Sequence, residues 1–334
     1  MDWKEGFSAR YYYTVVDPQS WRDLQRFELT GGTVSKTTSN LMEAADIDLT
    51  ELPEGIETWI RVWLDVRQGD SGAHEAVFTG LMSTPSVSWD GKRKSCAAEC
   101  YSVLKPAEDV LLPKGWYAPA GFQGAMLAAD LLSVGPAPVE YADNSPTLTA
   151  HIVAENNESN LSMARKILVA IGWRIRISGN GAIAIRPYTD EPVVTLDELT
   201  NDCLEMEITD TMDMFSCPNV FRATAGNMMA IARDDSATSR LSTVSRGREV
   251  WKAESSCKLN SGESLAEYAQ RRLKEEQAPA RSVAYKRRYI PNVLPGDAIR
   301  VHYPSHDVDG VFRVTTQKIE LGYGARTAEE VTWI

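Results

Sequence analysis

The chain has 334 residues, 43% of them hydrophobic and 24% charged, with a formal net charge of -11. That composition excludes a disordered chain and predicts two or three folded domains with sizeable cores. The acidic balance disfavours stable binding to a polyanion, and the lack of any run of about 18 apolar residues disfavours a membrane anchor.

The first segment, MDWKEGFSARYYYTVV, carries acids and aromatics where a secretory signal needs a basic end and a plain apolar run, so synthesis in a host cytoplasm is expected. Cys96, Cys100, Cys203, Cys217 and Cys257 are odd in number and loosely spaced, which predicts core or surface thiols rather than a disulfide framework. The first hundred residues then alternate as strands joined by turns. RFELTGGTVSKTTSNLMEAADIDL predicts a turn at Gly31-Gly32 and a polar stretch, with a short helical turn, leading into a strand. ETWIRVWLDV places Trp59 and Arg61 on one face and Ile60, Val62 and Leu64 on the other, so this strand should be covered on both sides. EAVFTGLMSTPSVSW follows as a long strand broken near Pro85, and Asp90-Gly91 makes a hairpin turn before KRKSCAAECYSVL. Residues 1–105 therefore read as a small antiparallel barrel or sandwich.

Lys105 to Gly121, KPAEDVLLPKGWYAPAG, is a connector whose Pro106, Pro113, Pro119, Gly115 and Gly121 argue against a helix or a central strand. It also carries Val110, Leu111, Leu112, Trp116 and Tyr117, and a connector this apolar has to lie against something. Either Trp116 pins it to its own domain, or Leu111, Leu112, Trp116 and Tyr117 pack at a domain or subunit junction. FQGAMLAADLL is a helix stopped by Gly135 and Pro136. ESNLSMARKILVAIGW is a second, with Ser159 or Asn160 as cap, an apolar stripe of Leu161, Ala164, Ile167, Leu168 and Ile171, and a stop at Gly172. WRIRISGNGAIAIRP is a hairpin turning at Asn180-Gly181, so residues 106–190 form an α+β unit of two helices and a hairpin.

Residues 191–334 give a loop, an acidic strand, further strands, and a loop near 234–240. Next comes a helix over 261–276 capped by Ser261, with Leu265, Tyr268, Ala269, Arg272 and Leu273 on its inner face. At least four strands close the chain, with a turn at Pro295-Gly296.

LKPAEDVLLPKGWYAPAG leading into QGAMLAADLL, then PAPVEYADNSPTL and AENNESNLSMARKILVAIGWRIRI, resembles the tail hub proteins of long-tailed bacteriophages. That group is related to contractile-tail baseplate hubs and to the hub part of type VI secretion spikes. The helix ESLAEYAQRRL followed by a strand and a PGD turn extends the resemblance, which is strongest over 105–190. It implies a β-rich α+β fold with two antiparallel β-barrel-like hub domains, 1–105 and 191–334, and an α+β domain, 106–190, inserted between them. It further implies a trimeric ring with pseudo-sixfold symmetry at the virion tail tip. The expected partners are two further copies, the tail tube or distal tail ring protein, a tip fibre or spike, the tape-measure protein and DNA in transit, with no cofactor.

Catalysis has little to stand on. Glu205 and Glu207 share a face of one strand, as a solvated edge or channel-facing acids would, and no second placed carboxylate marks a general acid. No GxSxG or HExxH occurs, and neither the Cys96 and Cys100 pair nor His302 and His306 has the further ligands that a metal needs. A tail-tip protein binding carbohydrate or cell wall through Trp116 and Tyr117 is the alternative reading, and a cell-wall hydrolase the third.

Overall fold

The computed structural model describes residues 1–334 apart from 56, 200–203, 256, 258, 260–262, 278, 279, 323 and 324. Its first six strands are β1 (Ser8–Val16), β2 (Asp23–Thr37), β3 (Glu43–Leu49), β4 (Thr58–Gln68), β5 (Ser71–Asp90) and β6 (Arg93–Ser102). They pair antiparallel in the order β1-β4-β5-β6-β3-β2, and β2 pairs back to β1, so the hydrogen bonding runs in an unbroken cycle. Strand alternation fills its interior: in β3, Ala45, Ile47 and Leu49 are buried while Ala44, Asp46 and Asp48 face outward. Tyr13, Val34, Ile60, Val62, Leu64 and Phe78 complete this core.

Gly31-Gly32 is not a turn. β2 runs straight through it with a register shift against β3, and a Cβ on Gly32 (φ +134°) would collide with the Asp46 carbonyl. Glycine here allows a bulge and close backbone approach inside one long strand. Pro85 likewise sits within β5, just past a register shift and beyond Met82, where pairing with β4 ends and one flank needs no donor.

The chain then builds α1 (Lys105–Asp109), β7 (Tyr117–Ala118), α2 (Gly124–Leu132), β8 (Val139–Tyr141), β9 (Ile152–Val153), α3 (Asn160–Ala170), β10 (Trp173–Ile177) and β11 (Ile183–Pro187). α1 corrects the expectation of a helix-free connector: Pro106 lies in the first turn, where its missing N–H is unneeded and its φ is already helical. α3 is capped by Ser159, whose hydroxyl accepts from the Ser162 N–H at 3.1 Å. Leu161, Met163, Ala164, Ile167 and Leu168 of α3 meet α2 and the β10–β11 hairpin in a second core.

The remaining elements are β12 (Pro192–Asp197), β13 (Leu204–Met212), β14 (Val220–Ala225), β15 (Met228–Arg233), α4 (Thr243–Arg246), β16 (Trp251–Ser255), α5 (Leu265–Gln277), β17 (Arg281–Arg288), β18 (Ala298–Tyr303), β19 (Val308–Glu320) and β20 (Arg326–Trp333). Among the described residues, β12-β18-β19-β20-β17-β13 follow an open path over a third core around Ile299, Phe312, Val314 and Val331. β19 pairs through Thr316–Glu320 with Thr33–Thr37 of β2, which joins this path to the first six strands as one twelve-stranded sheet. The β-rich α+β class expected from sequence is what is found.

A fourth core lies outside that sheet. β15-β14-β16 form a small sheet whose Phe221, Ala223 and Ala232 pack on Tyr268, Ala269 and Leu273 of α5. The expected cap Ser261 and the thiol of Cys203 lie outside the described residues. Ser264 and Glu267 form the capping box instead: the Ser264 hydroxyl accepts from the Glu267 N–H at 3.2 Å, and the Glu267 carboxylate accepts from the Ser264 N–H at 2.8 Å.

Candidate functional site

Two features join the first three cores. The first is the β10–β11 hairpin, whose apolar residues Ile175, Ile177, Ile183 and Ile185 face α3 and whose alternate positions are free to reach outward. Arg174 donates to Pro295 O at 3.0 Å and to Asp297 Oδ1 at 2.5 Å, and Arg176 donates to Asn292 O at 2.8 Å and to Asp297 Oδ2 at 3.3 Å. Asp297 also accepts from the Leu294 N–H at 2.9 Å, so one buried carboxylate holds its own turn and both arginines. The hairpin tip meets the first six strands: Asn180 O accepts from Trp21 Nε1 at 3.0 Å and Arg61 Nη2 at 3.1 Å, and Thr79 Oγ1 donates to Gly179 O at 2.7 Å. Arg61 and the half-buried Trp59 are covered from outside by this tip and the α+β unit, as the two-sided pattern of β4 required.

Gly179 lies against the backbone of Ala76 so closely that any Cβ would collide with the Ala76 carbonyl. Gly179→Ala is therefore expected to cost about 1–3 kcal/mol through displacement of the tip, read as a lowered urea midpoint and earlier proteolysis within 106–190.

The second feature is a buried polar network under the β2–β19 join. Glu329 accepts from Arg287 Nε at 2.7 Å and Nη2 at 2.5 Å, from Tyr285 Oη at 2.7 Å and from Gln317 Nε2 at 2.5 Å. Burial pushes its carboxyl up, but the Arg287 charge and these hydrogen bonds outweigh burial and hold it below the usual carboxylate range. Lys36 and Glu43, partners across β2 and β3, form an equally buried pair at 2.6 Å. There burial wins over Lys36, and the Glu43 carboxyl is held above its usual range. Such networks fix strand register at the join, because a one-residue slip would bury unpaired charge.

The outer side of the same strands forms an open groove of about 430 Å³, lined by Thr37, Glu207, Lys286, Thr316, Lys318 and Ala328 among others. Glu207 is exposed in this groove, whereas Glu205 on the same strand is paired with Arg326 at 2.5 Å. In the connector, Leu112 and Trp116 are partly buried on the core of the α+β unit, and the Leu112 N–H donates to Glu158 O at 2.9 Å. Leu111 and Tyr117 stand 55% and 52% exposed, with Tyr117 edge-on to His151 at 5.5 Å. Cys96 and Cys100 face the first core, and burial pushes the Cys100 thiol well up. Among the described residues no three His, Cys, Asp or Glu side chains are grouped to hold a metal, and no helix is long and apolar enough to cross a membrane. The junction residues Arg174, Arg176 and Asp297 were not singled out from sequence; alternation marks the arginines only as outward-facing.

No protein-family model matches the chain, and no curated protein does. Solved structures do. The chain is similar to the tail protein from Neisseria meningitidis MC58, at 15% identity and TM-score 0.69 over 97% of this chain and 96% of that one. It is similar over the same shares to the 43 kDa tail protein of prophage MuSo2 from Shewanella oneidensis, at 12% identity and TM-score 0.69. It is also similar to prophage tail protein gp18 from Listeria monocytogenes EGD-e, at 14% identity and TM-score 0.58 over 96% and 94%. The fold is thus that of phage tail proteins along nearly its whole length.

Proposed function

We propose that this chain is a structural tail hub protein of a bacteriophage virion. The observation that carries the reading is the full-length likeness to two tail proteins, with almost nothing left over in either chain. The six-strand cycle acts as one barrel-like hub domain and the open path from β12 to β13 as the second, with the α+β unit set between them in sequence. Three copies close into a ring of pseudo-sixfold symmetry that joins the tail tube or its distal ring to a tip fibre or spike and holds the end of the tape-measure protein. Closure also supplies neighbours for the outer edges of β12 and β13, unpaired among the described residues, which would otherwise template unwanted pairing. The net charge of -11 suits a conduit that must not hold passing DNA, and Glu207 is assigned to its wall. The role is one of assembly, without an enzymatic step, and Leu111 and Tyr117 are assigned to a subunit junction.

Native mass measurement of the purified chain tests the reading. A mass of three copies, or three copies per tail subassembly, is expected. A stable monomer that never enters tails overturns it.

A further inference from the structure

Among the described residues, the end of the β5–β6 hairpin adds to none of the four cores. β5 pairs with β4 only as far as Met82, and β6 pairs with β3 only from Cys96 onward, so the end of the β5–β6 hairpin is a two-stranded ribbon with no pairing strand on either flank among the described residues. Residues 85–92, 94 and 95 are all exposed. An isolated two-stranded ribbon is marginal in water, and this one carries an apolar face besides. The face that buries Ala98 and Cys96 lower down continues outward as Val87 and Trp89, 43% and 67% exposed. The tip sequence Lys92-Arg93-Lys94 is a concentrated positive charge in a chain of net charge -11. Lys92 and Lys94 have no carboxylate partner among the described residues.

The complementary surface is on the same chain. On the outer face of β3 and β6, Asp46 stands directly opposite Glu99, with Asp48 two residues along β3. Like charges opposed across strands are destabilising, and none of the three has a cation partner among the described residues. Tyr101 and Ala44 are a cross-strand pair beside them on that face. A ribbon cannot reach this patch in its own copy, because Lys94 and Glu99 lie on one continuous strand and are held roughly 17 Å apart along it.

We propose that the β5–β6 ribbon is an assembly arm that docks on the outer face of β3 and β6 of a second copy, Lys92 and Lys94 against Asp46, Asp48 and Glu99, and Trp89 against Tyr101. Because arm and patch are different surfaces, the contact is head-to-tail, the kind that generates a closed ring. It rests on the hub reading and gives that ring a specific contact.

The test is self-association of the full chain by sedimentation over a concentration series. Lys92→Glu with Lys94→Glu, and Trp89→Ala alone, should each weaken association about tenfold or more, with unchanged far-ultraviolet circular dichroism and urea midpoint because no core residue is touched. Asp46→Lys with Glu99→Lys should weaken it similarly. Combining the two charge reversals in one chain should restore it, and wild-type association should weaken as salt rises. An oligomer indifferent to these changes overturns the arm and leaves the hub reading standing. A wild-type chain that stays monomeric at every concentration, yet loses entry into tails when the arm is altered, assigns the arm to a different tail protein and overturns the second copy as its occupant.

Discussion

Asp297→Ala is expected to destabilise the protein by about 3–5 kcal/mol, because it strips the shared partner from Arg174 and Arg176 and leaves the Arg174 charge buried. The loss should concentrate where the hairpin meets the 292–297 turn. Limited proteolysis should release residues 106–190 well before the first six strands are cut, since the hairpin would lose its charged anchor and keep the backbone bonds of Arg174 and Arg176 and the tip contacts with Trp21, Arg61 and Thr79. Asp297→Asn keeps the acceptor for the Leu294 N–H and should fall between wild type and Ala. A urea midpoint for Asp297→Ala equal to wild type would show that the arginines find water instead.

Glu329→Gln should cost a comparable amount, about 3–5 kcal/mol, by leaving Arg287 buried without its counter-charge. Pairing it with Arg287→Met should recover part of the loss, as expected when an ion pair is removed whole rather than halved. The acid dependence gives a second check. Because the folded-state carboxyl of Glu329 is held below its ordinary value, its stabilisation is complete above the unfolded pKa, near 4.3, and is lost as pH falls through the folded value. Glu43 has the opposite sign: its carboxyl is raised, so its contribution is complete below the unfolded value and is lost as pH rises through the folded one. Urea midpoints from pH 3 to 7 should therefore fall steeply at the acid end for wild type and less steeply for Glu329→Gln. Parallel curves for the two proteins would contradict this account of the join.

What was legible in the sequence is what local chemistry decides. Ser159 caps α3, alternation sets the faces of β4 and β10, and Asn180-Gly181 turns the hairpin, each through contacts within a few residues. Gly31-Gly32 was misread because the partner that demands glycine, the Asp46 carbonyl, arrives from another strand. α1 was missed because a proline that breaks a helix interior is welcome in its first turn, and sequence alone did not show where that helix begins. The small sheet under α5 depends on β16 pairing in parallel with β14 across an intervening loop and α4, a non-local choice. The same holds for the junctions. Arg174 and Arg176 were visible as the polar half of an alternating strand and Pro295-Gly296 as a turn, but nothing local says that Asp297 binds both arginines.

These junctions tie the first three cores to one another, and among the described residues the end of the β5–β6 ribbon and the outer edges of β12 and β13 have no pairing strand. Unpaired strand edges are what the neighbours in a closed ring can satisfy. The most direct measurement is an electron-microscopic image of tails carrying this protein with a density label fused to it. Three labels arranged around the channel at the tail's end are predicted; a single peripheral label, or none on the tail, would contradict the hub assignment.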